Sequence, residues 1–337
     1  MKVAMWYNNK DIRIEDIPKP IADSNEMLVQ VESCGICGSD IVEWYRLPRA
    51  PLVPGHEIGG IVVETGKNVT KCKPGDRVFI APKVPCMECE YCKNEHHPVC
   101  SNVHERLPGG FSECILVPEV LIKNGTYFLT DNISYDQSTF IEPLSCAVRA
   151  QKLAKIKKNQ TILIMGCGIS GIIHIKLAKT KQCKIIAVDI NENRLLCAKK
   201  SGADVIINAN NDVSSQLVDK NNKKADIVML CTSAMSAIEH AWNCVDKGGA
   251  IVFFAVPGPE KKVVIPMNKF WTGEIRILTS YYCSPNDINE AISLIENEKI
   301  FVDDMITHKL PLKEIIKGFQ LVANPQNSLK VIIKPNE

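Results

Sequence analysis

The sequence predicts an α/β protein in which a doubly wound parallel sheet follows a mostly β first part. Three observations predict it. An apolar run at 162–165 leads into Gly166, Gly168 and Gly171 in G-x-G-x-x-G spacing, and an apolar helix-like run follows at 172–178. From there to residue 280, short apolar runs alternate with helix-length ones, the rhythm of a parallel sheet covered on both faces. Ahead of it, residues 2–31 and 60–81 mix short apolar runs with proline, glycine and charge, as strands and turns do.

In chain order, residues 2–31 read as a hairpin and an entering strand, with no chemistry of their own. The stretches SCGICGSD (33–40) and PGHEIGG (54–60) place Cys37, His56 and Glu57 in glycine-rich turns, and these are ligand types that zinc accepts. Cys34 lies three residues before Cys37, so spacing alone admits it too. Residues 60–81 give strand, turn and strand, with Pro74, Gly75 and Asp76 marking the turn.

Next come Cys86, Cys89, Cys92 and Cys100 in C-x2-C-x2-C-x7-C spacing. Four thiolates on one short loop match a closed tetrahedral zinc with no position left for a substrate. An iron–sulfur cluster would share the first three cysteines but has a closer fourth one, with proline after it rather than before. A nucleic-acid finger would need a basic recognition helix, whereas this loop carries Glu88, Glu90 and Glu95. His96 and His97 read as surface residues, because the cysteines already fill the tetrahedron. Residues 109–120 read as a turn and a strand. In STFIEPLSCAVRA (138–150), Glu142 and Pro143 suit the first turn of a helix. Capping explains that pair, and a metal role for Glu142 requires it to meet Cys37 and His56 in space.

The stretch 161–189 is then a βαβ unit ending in an acid. Gly166 permits the tight turn, Gly168 lets the backbone approach a pyrophosphate, and Gly171 lets the helix pack on the strand. With Ile169, these residues form the expected cradle at a helix N-terminus. Asp189 would accept hydrogen bonds from a ribose diol and repel a 2′-phosphate, so NAD is expected rather than NADP. Arg194 is the nearby cation included in the expected cofactor site. The remaining elements are a helix ending at Gly202, strands at VIIN, ADIVMLCTS and GEIRILTS, a Gly248-Gly249 turn, and a tail of two helices and a last strand, KVIIK. No internal repeat or low-complexity linker separates them, which sets the expected divisions at 1–143, 144–284 and 285–337.

A chain of 337 residues is long enough for two domains with real cores, and 45% hydrophobic with 23% charged residues is ordinary for a globular protein. A net charge of +2 gives no reason to expect nucleic acid or a membrane surface as partner. No segment reaches the roughly 18 uninterrupted apolar residues of a membrane helix. The N-terminus enters strand-like alternation without a signal peptide, so a cytoplasmic location is expected. The cysteines number 15, an odd count that argues for reduced thiols, some of them holding metal.

Taken together, CGICGSD at 34–40, GHE at 55–57, GDRV at 75–78, the four-cysteine lobe, EPL at 142–144, GCGISG at 166–171 and Asp189 resemble the zinc-containing medium-chain dehydrogenase/reductase superfamily, in its sorbitol and polyol dehydrogenase branch. The resemblance runs nearly end to end. It implies a GroES-like β-barrel catalytic domain (1–143, with the structural zinc lobe at 86–100), interrupted by an NAD-binding Rossmann domain (144–284) and completed by 285–337. It also implies two Zn2+ per chain. Cys37, His56 and Glu57 would hold the catalytic one, with Glu142 as a further ligand or through a water, and Ser39 would relay the proton with Asp40 behind it. Cys37 thiolate and one glutamate just neutralise Zn(II).

The implied reaction is NAD-dependent oxidation of a secondary alcohol in a small polyol-like substrate, by a homo-oligomer, tetramer or dimer. Within the superfamily, threonine 3-dehydrogenase and cyclitol or aminocyclitol dehydrogenase are the alternatives. From another class, the alternative is a zinc-stabilised cofactor-binding protein without turnover. Two departures bear on the substrate. SDIVEWYR lacks the histidine that many relatives use in the relay, and SYYCSP has Tyr281 where sorbitol dehydrogenases carry arginine, leaving Tyr282 for that contact.

Overall fold

The computed structural model describes residues 1–103 and 109–337. They divide into two compact units, Met1–Pro143 with Cys283–Glu337, and Leu144–Tyr282.

The first unit is built on a seven-stranded sheet in the order Ile306–Pro311, Lys330–Lys334, Met27–Gly35, Glu57–Thr65, Arg77–Ile80, Thr126–Phe128, with Cys114–Val117 also paired to Met27–Gly35. Met27–Gly35 is buried at nearly every residue, so both of its faces must be apolar or small. Trp6, Met27, Val31, Ile58, Ile80, Phe111, Ile115, Leu121, Phe319 and Ile333 pack in its core. Two pairings matter for the site. Gly35 lies opposite Glu57 on one side and Ile332 on the other, which sets the C-terminal strand and the start of Glu57–Thr65 on the two flanks of Met27–Gly35.

The local structure differs from the sequence expectation in three places. Glu57 opens a strand rather than sitting in a turn, because the register with Gly35 extends the ladder to it. A helix, Glu119–Gly125, follows the strand Cys114–Val117 and buries Leu121 and Ile122. Gly248, with φ of +70°, lies inside the strand Val245–Phe253, where it accompanies a break in the pairing register.

The second unit holds a six-stranded parallel sheet in the order Val205–Asn208, Lys184–Asp189, Thr161–Met165, Ala225–Leu230, Val245–Phe253, Arg276–Thr279. Thr161–Met165 is buried throughout, as expected for a strand with helices on both faces. The chain runs outward from it in one direction and then in the other. The carboxyl end of Thr161–Met165 is therefore a topological switch point, where open α/β sheets bind ligands.

Candidate active site and metal centres

Among the described residues, two groups of side chains bring three or more metal-ligand atoms within 4.8 Å of one another. One is Cys86, Cys89, Cys92 and Cys100. Their sulfurs lie 3.4 Å apart for Cys86–Cys100, 3.8 Å for Cys89–Cys100 and 4.0 Å for Cys86–Cys92. A tetrahedron with ~2.3 Å zinc–sulfur bonds has edges of about 3.8 Å, so the four donors fit zinc as they stand. Backbone N–H groups already point at the sulfurs: those of Glu88 and Cys89 donate to Cys86 Sγ and that of Cys86 donates to Cys100 Sγ. Donors of this kind favour thiolate, and the backbone hydrogen bond from Cys92 leads the effects that bring the Cys89 thiol down to about 5.

The second group is Cys37, His56 and Glu57. Cys37 caps the short helical turn Gly38–Ile41, and the N–H of Ser39 donates to its sulfur at 3.4 Å. Asp40 folds back to accept the Cys37 N–H at 3.0 Å, closing a capping box around the ligand. His56 and Glu57 lie where the chain enters the strand Glu57–Thr65. A thiolate, an imidazole and a carboxylate suit zinc, and three protein ligands leave a fourth position for a substrate.

The electrostatics around this group favour a cation. Burial opposes charge on His56, but Asp40 and Cys37 outweigh it and hold the imidazole well above its ordinary range. Burial pushes the Glu57 carboxyl up, Lys330 and His56 pull it down, Glu142 adds to the rise, and the net direction is upward. A divalent ion would satisfy these charges together.

Glu57 and Lys330 form a wholly buried ion pair. Lys330 Nζ also stands 5.1 Å over the Phe140 ring. The pair exists because position 35 is glycine: a Cβ there would strike both Glu57 Oε2 and Lys330 Nζ. Neither feature was anticipated. The lysine of SLKVIIK resembles an ordinary strand-end charge, and the only hint was the glycine at 35 that closes the run MLVQVESCG. Glu142 is buried in the first turn of the helix Ile141–Leu153. It lies outside the mutually close group, although its charge reaches Glu57. Cys34 is wholly buried in the core and outside the group as well.

In the second unit, Gly166 has φ of +94°, a conformation that glycine adopts without strain. A Cβ on Gly171 would strike the Gly166 carbonyl oxygen, and one on Gly168 would meet nothing within 4 Å. The loop is thus tight at its two ends and open in the middle, at the N-terminus of the helix Ile169–Thr180, where backbone N–H groups can receive an anion. Asp189 ends the strand Lys184–Asp189 and accepts from Cys167 N at 2.7 Å and Asn191 N at 2.9 Å. Each carboxylate oxygen keeps a lone-pair direction for a ligand hydroxyl. Arg194 Nη1 stands 3.9 Å from Asp189 Oδ2.

Fold and sites together define a zinc-dependent dehydrogenase. A family model described as the alcohol dehydrogenase GroES-like domain matches residues 23–124, and one described as zinc-binding dehydrogenase matches residues 170–297. The chain is 31% identical over 336 residues to D-xylulose reductase of Saccharomyces cerevisiae, covering 95% of this chain and 93% of that one. It is 28% identical to sorbitol dehydrogenase of Gallus gallus, covering 96% and 93%. A zinc-binding dehydrogenase from Sinorhizobium meliloti, solved with NADP, superposes with a TM-score of 0.88 at 26% identity, covering 99% of both chains. The chain belongs to the zinc-containing medium-chain dehydrogenase/reductase superfamily, in its sorbitol and polyol dehydrogenase branch. It is an alcohol dehydrogenase in the broad sense. No helix among the described residues is long and apolar enough to cross a membrane.

Proposed function

We propose that this enzyme transfers a hydride between a secondary alcohol of a polyol and NAD, at a zinc held by Cys37, His56 and Glu57, with a second zinc in the four-cysteine lobe. The observation that carries this is the convergence of a thiol, an imidazole and a carboxylate with the Ser39 hydroxyl 3.4 Å from Cys37 Sγ. Zinc bound there would supply Lewis-acid polarisation of the substrate oxygen. Ser39 is placed to take the hydroxyl proton and pass it onward to water or a cofactor hydroxyl. Glu142 adds negative charge beside Glu57 and acts on the site without belonging to the close ligand group.

NAD is favoured over NADP by the buried Asp189 carboxylate at the switch point, which would repel a 2′-phosphate. The NADP complex of the S. meliloti protein makes this a point to measure. A homo-oligomer is supported by the edge strand Arg276–Thr279, paired on one side only, in a unit that also exposes Trp271 and Val264 by 80% and 82%.

The test is NADH formation at 340 nm over polyols, cyclitols, threonine and simple secondary alcohols, with zinc content measured on the same protein. Turnover of a polyol with NAD and two zincs per chain is the expected result. Threonine or a cyclitol as best substrate would move the assignment within the superfamily. One zinc per chain and no reduction of NAD or NADP would leave a cofactor-binding protein held together by its lobe.

A further inference from the structure

We propose that Arg46 is a positioning residue of the catalytic site. It stands beside Ser39 as an obligate donor, orients the Ser39 hydroxyl, and acts through Asp40 to leave Nε2 of His56 as the nitrogen available to metal. The inference rests on the reading of Cys37, His56 and Glu57 as the zinc site.

Hydrogen counting carries it. Arg46 is buried, 8% exposed, and its Nε donates to the Ser39 carbonyl at 3.1 Å. Its Nη2 lies 2.5 Å from Asp40 Oδ1, 3.3 Å from Ser39 Oγ and 3.4 Å from His56 Nδ1. That nitrogen has two hydrogens and cannot accept. Asp40 takes one hydrogen and Ser39 Oγ the other, so none remains for the imidazole. His56 Nδ1 also faces Asp40 Oδ1 at 3.3 Å, where a bare nitrogen would set a lone pair against an anion. Nδ1 therefore carries its own hydrogen and donates it to Asp40, which leaves Nε2 free for a metal.

The same count settles the serine. One lone pair of Ser39 Oγ receives the Arg46 N–H, and Cys37 Sγ is its other close neighbour at 3.4 Å. Arginine stays protonated at any working pH, so it cannot take a proton from Ser39. The serine hydrogen is thus kept on the metal side, and its second lone pair is free to accept from a substrate hydroxyl. This explains how SDIVEWYR manages without a histidine after Asp40: its nearest side chain to the serine orients the hydroxyl, and the proton must leave by another acceptor.

The experiment compares wild type with Arg46→Met, Arg46→Gln and Arg46→Lys as zinc-replete, 15N-histidine-labelled proteins. It reads histidine Nδ1–H signals by NMR, zinc per chain, and kcat and KM. In wild type, His56 should show a protonated Nδ1. In Arg46→Met that signal should shift or vanish, and kcat should fall about tenfold or more with KM changed less than about threefold. Two zincs should remain, and Arg46→Lys should recover most of kcat. If Arg46→Met does not fold, Arg46→Gln is read in its place with the same expected outcome. Its amide ends where the arginine Nε lies, so it withdraws the Nη2 donor from Ser39 Oγ and Asp40 while keeping a polar group. An unchanged His56 signal with wild-type kcat overturns the proposal, as does joint loss of kcat, KM and zinc that lysine does not rescue, which marks a purely structural clamp. Both outcomes differ from failure of the underlying reading, in which wild type itself lacks the second zinc or turns over no alcohol.

Discussion

The two ligand groups of the first unit are built in opposite ways. The lobe draws Cys86, Cys89, Cys92 and Cys100 from one loop, and nearby backbone N–H groups cradle the sulfurs. The catalytic group draws Cys37 from one turn and His56 and Glu57 from a strand entry, and depends on Arg46 and on Lys330, contributed from near the C-terminus. A site made by one loop can be closed and self-sufficient. A site that must stay open for a substrate needs charges from elsewhere in the fold to hold its ligands.

The sharpest way to break this comparison is to remove one ligand from each group. Cys37→Ala should lower kcat by at least about a thousandfold, since several kcal/mol of Lewis-acid stabilisation is lost, with zinc falling from two to one per chain and little change in Tm. Wild-type turnover in that variant would separate the group from the chemistry. With the metal chelated from the Cys37 group in both proteins, Lys330→Met should cost roughly 3–5 kcal/mol in urea denaturation, because it leaves Glu57 buried without its partner. A loss under about 1 kcal/mol would mean that the C-terminal strand is not a true part of the site.

Cys92→Ser should act on the other group alone. Its buried sulfur helps close the lobe, so Tm should drop by more than ~5 °C while kcat per folded molecule stays within about twofold. A drop in kcat without a drop in Tm would reverse the two roles.

Acid release of metal from the two groups would sharpen the comparison further, and His174 sets the background against which it is read. Burial holds the His174 imidazole down to about 3, so it stays neutral in the folded protein. The unfolded chain protonates near pH 6.5. Its contribution to stability is therefore complete above pH 6.5 and is lost as pH falls toward about 3, at up to ~1.4 kcal/mol per pH unit. Between pH 6.5 and 5, wild type should lose about 2 kcal/mol more than His174→Gln, measured by urea midpoints. Equal slopes would remove His174 from the acid response.

Much of the molecule was legible before folding. Periodicity marked the central βαβ unit, because a strand buried on both faces must be apolar throughout and a turn at φ of +94° calls for glycine. Spacing marked the lobe, because its donors are close along the chain. The helix Glu119–Gly125 was missed, since a seven-residue helix carries barely two turns of pattern beside a strand.

What the sequence determined by itself, then, is what local geometry determines: the glycine turn, the parallel-sheet rhythm, the four-thiolate loop and the kinds of ligand available at Cys37, His56 and Glu57. The tertiary structure alone decided which charges meet. Lys330 lies 273 residues from Glu57, and they pair because their strands flank Met27–Gly35 and its glycine at 35 leaves room for the two side chains to meet across it. Arg46 reads as one more basic residue until the turn Gly38–Ile41 folds Asp40 and Ser39 beneath it. A buried charge is stable only with its partner in place, and the identity of that partner is a property of register and packing rather than of neighbouring letters.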